Sequence, residues 1–117
     1  VNCCPVEDSL ILGTWIAVGD PLSKWVFGKD KICYEYYADT LVDRDQYRML
    51  SASDSPLCGI DVSKGTLVNY MEWTNLNNPD DKMCFVVYSL TDEVLNVTLF
   101  GTGDFLIFRR PWSDFEP

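Results

Sequence analysis

What most constrains this chain is its punctuation. Runs of aromatic and β-branched residues alternate with polar ones and are broken at short intervals by Gly, Pro, Asn and Asp. The first set suits a pleated, half-buried surface, and the second is the set that turns chains. The pattern predicts eight strands, over residues 12–18, 24–27, 31–37, 43–50, 66–74, 82–89, 94–100 and 104–110. Asn75 to Asp81, with Asn77, Asn78 and Pro79 inside it, is the clearest turn, and Ser51 to Pro56 has a loop composition. No long amphipathic helix, internal repeat or low-complexity tract interrupts this all-β pattern. Antiparallel strands at such spacing build either a sandwich or an up-and-down barrel, and periodicity does not separate the two. Residues 1–11 read as an N-terminal arm, 12–110 as the β-domain and 111–117 as a C-terminal tail.

A period of two assigns faces. It turns Ile32, Tyr34 and Tyr36 inward against Glu35, and Tyr47 and Met49 inward against Arg44, Gln46 and Arg48. Leu95, Val97 and Leu99 share one face, with Asn96 and Thr98 on the other. Trp25 with Phe27, Met71 with Trp73, and Leu106 with Phe108 are further inward candidates.

Charge excludes one class of partner. Nine basic residues against eighteen acidic ones leave a formal charge of −9, so the phosphate-neutralising surface that nucleic-acid binding needs is missing. The acidic residues are dispersed in pairs such as Asp43 with Asp45 and Asp80 with Asp81, which reads as a solvated surface. No apolar run approaches the ~20 residues of a transmembrane helix. The chain opens at Val1 without a basic and apolar leader, so any export signal is expected to be already removed. Cys3, Cys4, Cys33, Cys58 and Cys84 suit an oxidising compartment, and one thiol is left over however two bridges form. Asn2 before Cys3 is not the small residue that a lipidation signal wants.

Two ends of the sequence carry a resemblance. Gly13-Thr14-Trp15 opens the first strand, and Leu106-Ile107-Phe108-Arg109-Arg110 closes the last; together they resemble the lipocalin or calycin superfamily. That resemblance implies an eight-stranded antiparallel up-and-down barrel, lipocalin-like with short strands, in which the tryptophan plugs one end beneath a terminal arginine. By alternation Arg110, which shares a face with Leu106 and Phe108, fits that place better than Arg109. Gly13, Trp15 and Arg110 are therefore the expected barrel closure. Between these ends, Trp25-Val26-Phe27, Tyr34 to Tyr37, Cys58-Gly59, Asp80-Asp81 before Cys84, and Leu90-Thr91-Asp92-Glu93-Val94-Leu95 are similar to small lipocalin-like domains of secreted proteins and lipoproteins of Bacteroidetes-type bacteria. The likeness runs from about Leu12 to Arg110, and implies a Cys58–Cys84 disulfide and a secreted, periplasmic or lipid-anchored location at the cell envelope.

Histidine is absent from the sequence, which removes Ser-His-Asp and Cys-His nucleophile systems and the commonest metal ligand. Zinc, phosphate-loop and calcium-loop motifs are missing too, so no cofactor and no metal is expected. A carboxylate pair such as Glu35 and Glu72 is what remains for acid–base chemistry, and it does not outweigh a binding role; no enzyme is expected. Trp25, Phe27, Tyr34, Tyr36, Tyr47, Met71, Trp73 and Phe108 either line an apolar cup for a ligand or fill the interior of a small barrel. The leading expectation is a binding protein for a small apolar molecule at the end away from Trp15 and Arg110. The alternative is a protein-interaction module such as a protease inhibitor, whose barrel is filled by side chains and whose arm, residues 1–10, enters a partner's groove. Asn96-Val97-Thr98 is a glycosylation sequon on the expected outer face.

Overall fold

The structure, a computed structural model, describes residues 10–51, 69–99 and 104–111. Strands β1 (Gly13–Ala17), β2 (Ser23–Phe27), β3 (Ile32–Tyr37), β4 (Thr40–Ser51), β5 (Asn69–Asn75), β6 (Lys82–Leu90), β7 (Val94–Leu99) and β8 (Phe105–Arg109) appear in that order. Each pairs antiparallel with its neighbour in sequence, and β8 returns to β1, so the sheet closes as an all-β up-and-down barrel. Closure leaves no sheet edge, which disposes of the unpaired N–H and C=O rows that a sandwich must protect. The tail expected over residues 111–117 lies outside the described residues except for Pro111.

Local turn chemistry explains most connections. Asn75 accepts bonds from the backbone N–H groups of Asn77 and Asn78 through its side-chain oxygen, at 2.9 and 3.0 Å, which folds the β5–β6 turn where the sequence predicts it. The β3–β4 turn is the exception. Strand β4 begins at Thr40, not at Asp43, because Ala38 and Asp39 form a two-residue hairpin at φ 51° and 67° with Tyr37 opposite Thr40. Such turns need positive φ at both central residues and usually advertise themselves as Asn-Gly or Asp-Gly. Ala38 carries no such signal.

The interior is built from aromatic rings. Trp25 stacks on Phe108 with centroids 4.1 Å apart and meets Trp73 at 4.6 Å, while Phe27 sits edge-on to Tyr47 at 4.9 Å. Met71, Trp73, Tyr47, Leu95 and Val97 are buried, as the alternation in β4, β5 and β7 requires. Ile11, placed by sequence in the arm, is fully buried in the same core.

In β3 the inward face is the opposite of the expected one. Cys33 is fully buried and Glu35 shares its face, whereas Tyr34 and Tyr36 are only half-buried and stand outside. Both tyrosines bring a polar tip that water or a neighbour can satisfy. The Tyr34 hydroxyl donates to Asp30 at 2.7 Å, and the Lys24 ammonium lies 5.2 Å from the centre of the Tyr36 ring. Cys33 behaves as a small hydrophobe and fits where a tyrosine would overfill a space already holding Phe27.

Candidate functional site

The two ends of the barrel differ. One is sealed by Trp15 and Arg110. Trp15 is fully buried and donates from Nε1 to the Ile11 carbonyl at 2.8 Å, which fixes the indole across the barrel. The Arg110 guanidinium lies over it with Cζ 3.8 Å from the ring centre. Its Nη2 donates to the Leu10 carbonyl at 2.6 Å, Nη1 to Thr14 at 3.2 Å and Nε to Asp92 at 3.4 Å, so the planar fork ties three segments together. Gly13 has φ 103°, and a Cβ there would meet Arg110 Nη1 at 3.0 Å. The Gly-x-Trp is thereby explained: the glycine supplies the backbone angle and the room that the guanidinium occupies.

At the other end, where β1 runs into β2, strand β8 outruns its partner. Ile16 is opposite Arg109 and Ala17 opposite Phe108, and beyond them Val18 donates its N–H to the Ile107 carbonyl at 2.8 Å. Between the β1–β2 turn and β8 lies a cleft of about 310 Å³, with Trp25 and Phe108 on its inner side and Ala17, Leu106, Ser23 and Asp20 around them. Of the eight aromatic and sulfur-bearing residues expected to meet a ligand, Trp25 and Phe108 line this cleft. Phe27, Tyr47, Met71 and Trp73 are packed against one another in the core, and Tyr34 and Tyr36 face outward.

Beside this cleft the barrel wall turns acidic, since Glu35 is the cross-strand neighbour of Trp25. Glu35 stands opposite Asp43 across the β3–β4 pair, and Asp45 follows on the same inward face of β4 beside Cys33. One carboxylate oxygen from each of Glu35, Asp43 and Asp45 lies within 4.8 Å of the others. Asn75, at the end of β5, donates its amide to Asp43 at 2.7 Å and to Asp45 at 3.3 Å, which holds the two aspartates side by side. Burial, and then the neighbouring Asp45 and Asp43, push the Glu35 carboxyl up to about 8. Sequence reading missed this cluster because the inward phase of β3 was inverted and the Asp43–Asp45 pair read as a solvated surface. Glu72, the other half of the expected acid–base pair, is buried on the outer face of β5 and pairs with Arg48 at 3.2 Å. The sheet lies between it and Glu35, so the two do not form a catalytic pair.

Thr98 of the sequon is 7% exposed, so its hydroxyl is not displayed on an open outer surface. Cys84 is disulfide-bonded, and its expected partner Cys58 lies outside the described residues, as do Cys3 and Cys4. Cys33 is a free thiol. In comparison with known proteins, no family model, no curated protein and no solved structure matches this chain.

Proposed function

We propose that the chain is a lipocalin-like binding protein of the secreted or cell-envelope type, taking a small apolar molecule in the cleft at the open end of its barrel. The observation that carries this reading is the cleft itself, about 310 Å³ and walled by Trp25, Phe108, Leu106 and Ala17 at the end opposite Trp15 and Arg110. Its volume lies at the lower limit of the ~300–1,000 Å³ of small-molecule sites. Apolar walls supply the driving force, and Ser23 and Asp20 at the rim are the groups that would orient a bound molecule. The likeness in Gly13, Trp15 and Arg110 supports the lipocalin-like part of the proposal, and the disulfide at Cys84, with Cys58 as its proposed partner, supports an oxidising compartment. Peptide mapping without reduction tests that bridge.

Titration of the protein with the neutral apolar fluorophore N-phenyl-1-naphthylamine tests the site. Saturable one-to-one binding is expected, with affinity reduced about tenfold or more in Leu106→Glu, which puts a charge on the apolar wall at a position already 37% exposed. Absence of saturation, or equal binding by the variant, rejects the proposal.

A second reading, a protein-interaction module, is favoured by an outward apolar group. Phe105, Tyr88 and Val18 are each more than half exposed, and the first two rings meet at 5.2 Å. Inhibition of an endoprotease panel that disappears when residues 1–9 are removed would support this reading over the first.

A further inference from the structure

The three carboxylates at the mouth present an electrostatic difficulty that the apolar cleft does not explain. Like charges directly opposite one another across a strand pair destabilise it, yet Glu35 faces Asp43 and the next inward residue is Asp45. No Lys or Arg is paired with any of the three among the described residues. Asp45 is 1% exposed, and its Oδ2 is buried without a hydrogen-bond partner. Asn75 serves only Oδ1. A buried carboxylate oxygen left in this condition destabilises the fold until a donor or a cation reaches it.

We infer that Glu35, Asp43 and Asp45 bind a calcium ion inside the barrel mouth. The donor set is all oxygen, which selects hard cations over zinc, copper or iron. Oxygens within 4.8 Å of one another suit an ion whose oxygen ligands stand about 2.3–2.6 Å away, since opposite ligands are then separated by twice that distance. Three strand-borne carboxylates in an irregular arrangement, with water completing the shell, suit calcium better than magnesium, which demands near-ideal octahedral geometry and usually takes one or two carboxylates. An ammonium group would bring a carbon chain beside a carboxylate that is 1% exposed, and a bare ion needs no such room. Asn75 is a positioning residue here. Its amide oxygen is committed to the β5–β6 turn, while its N–H groups hold Asp43 and Asp45 in place. The inference does not depend on the apolar ligand, whose cleft borders the carboxylates at Trp25, the cross-strand neighbour of Glu35.

Isothermal titration of the chelator-treated protein with calcium chloride tests it. One ion per chain is expected, together with a rise in melting temperature on adding calcium. Asp45→Asn and Glu35→Gln should each weaken binding about tenfold or more, and Asn75→Ala about 10- to 100-fold, the range for groups that support metal ligands. Asp80→Asn with Asp81→Asn, on the exposed β5–β6 turn, should leave affinity unchanged. Because Glu35→Gln puts a neutral side chain of the same size beside Asp43 and Asp45, its metal-free form should melt no lower than the parent, which separates a lost site from a lost fold. No heat of calcium binding, calcium binding equal in parent and in Glu35→Gln and Asp45→Asn, or magnesium binding as tight as calcium would each overturn the assignment.

Discussion

Arg110 lies over Trp15 at 3.8 Å, a guanidinium on an indole face joined to the carbonyls of Leu10 and Thr14. Trp15→Ala removes a fully buried ring and should cost about 3–5 kcal/mol. Arg110 is 6% exposed, not a hydrated rim residue. Arg110→Ala leaves several carbonyls without their charged donor and should cost about 2–4 kcal/mol. Arg110→Lys keeps the charge and loses the fork, so it should recover less than half of that. Urea melts of the three variants beside the parent measure these values; an Arg110→Ala protein as stable as the parent would show that the seal is ornamental.

Ala38 holds φ 51° in the β3–β4 hairpin without the compensation that Asn or Gly would bring. Left-handed backbone costs an ordinary L-residue roughly 1–2 kcal/mol. Ala38→Gly removes that strain and gives back part of it as unfolded-chain entropy, so it should raise stability by about 0.5–1 kcal/mol. Thermal denaturation decides, and a loss of stability contradicts the strain argument.

Cys33 is fully buried, and desolvation, with the Glu35 and Asp45 carboxylates adding to it, pushes its thiol far up. The native protein should leave Cys33 unmodified by iodoacetamide at pH 8. Alkylation should follow the unfolding curve when urea is added. Rapid labelling in native buffer would mean that the β2–β3–β4 wall opens locally.

The Glu35 carboxyl is held neutral up to about 8, above its ordinary 4.5. A folded-state value above the unfolded one means that the native state binds the extra proton. Its contribution is therefore fully present below about 4.5 and is lost as pH rises through about 8. Asp43 and Asp45 from β4 and Cys33 from β3 are the titratable groups on this face, and Trp25 from β2 and Asn75 from β5 add no charge. In chelator, melting temperature should fall between pH 5 and 8, and Glu35→Gln should flatten that fall. A parent and variant with parallel pH profiles would refute the role given to Glu35.

The inward faces of β4, β5 and β7 were legible because their apolar residues alternate cleanly with charged or amide ones. Trp15, Gly13 and Arg110 were legible only through the resemblance of the two chain ends to the lipocalin-like pattern, and the structure stacks the arginine on the indole. In β3 the same rule failed. Ile32, Tyr34 and Tyr36 outweigh Cys33 and Glu35 in apolar character, yet a tyrosine satisfies its hydroxyl outside and a small thiol fits inside. Alternation counts polarity and takes no account of volume.

The sequence by itself determined the class of fold, since its turn residues divide the chain into strands too short to cross anything but a small sheet, and it determined which rings go inside most of them. Tertiary structure decided the rest. Closure of β8 on β1 chose barrel over sandwich, the overrun of β8 past Ala17 opened the cleft, and pairing brought Asn75 onto Asp43, 32 residues away. These outcomes depend on where separate strands meet. Local patterning specifies the periodicity of a strand and not its neighbours' volumes or charges, so a carboxylate that looks solvated along the chain becomes buried when the sheet curls round it.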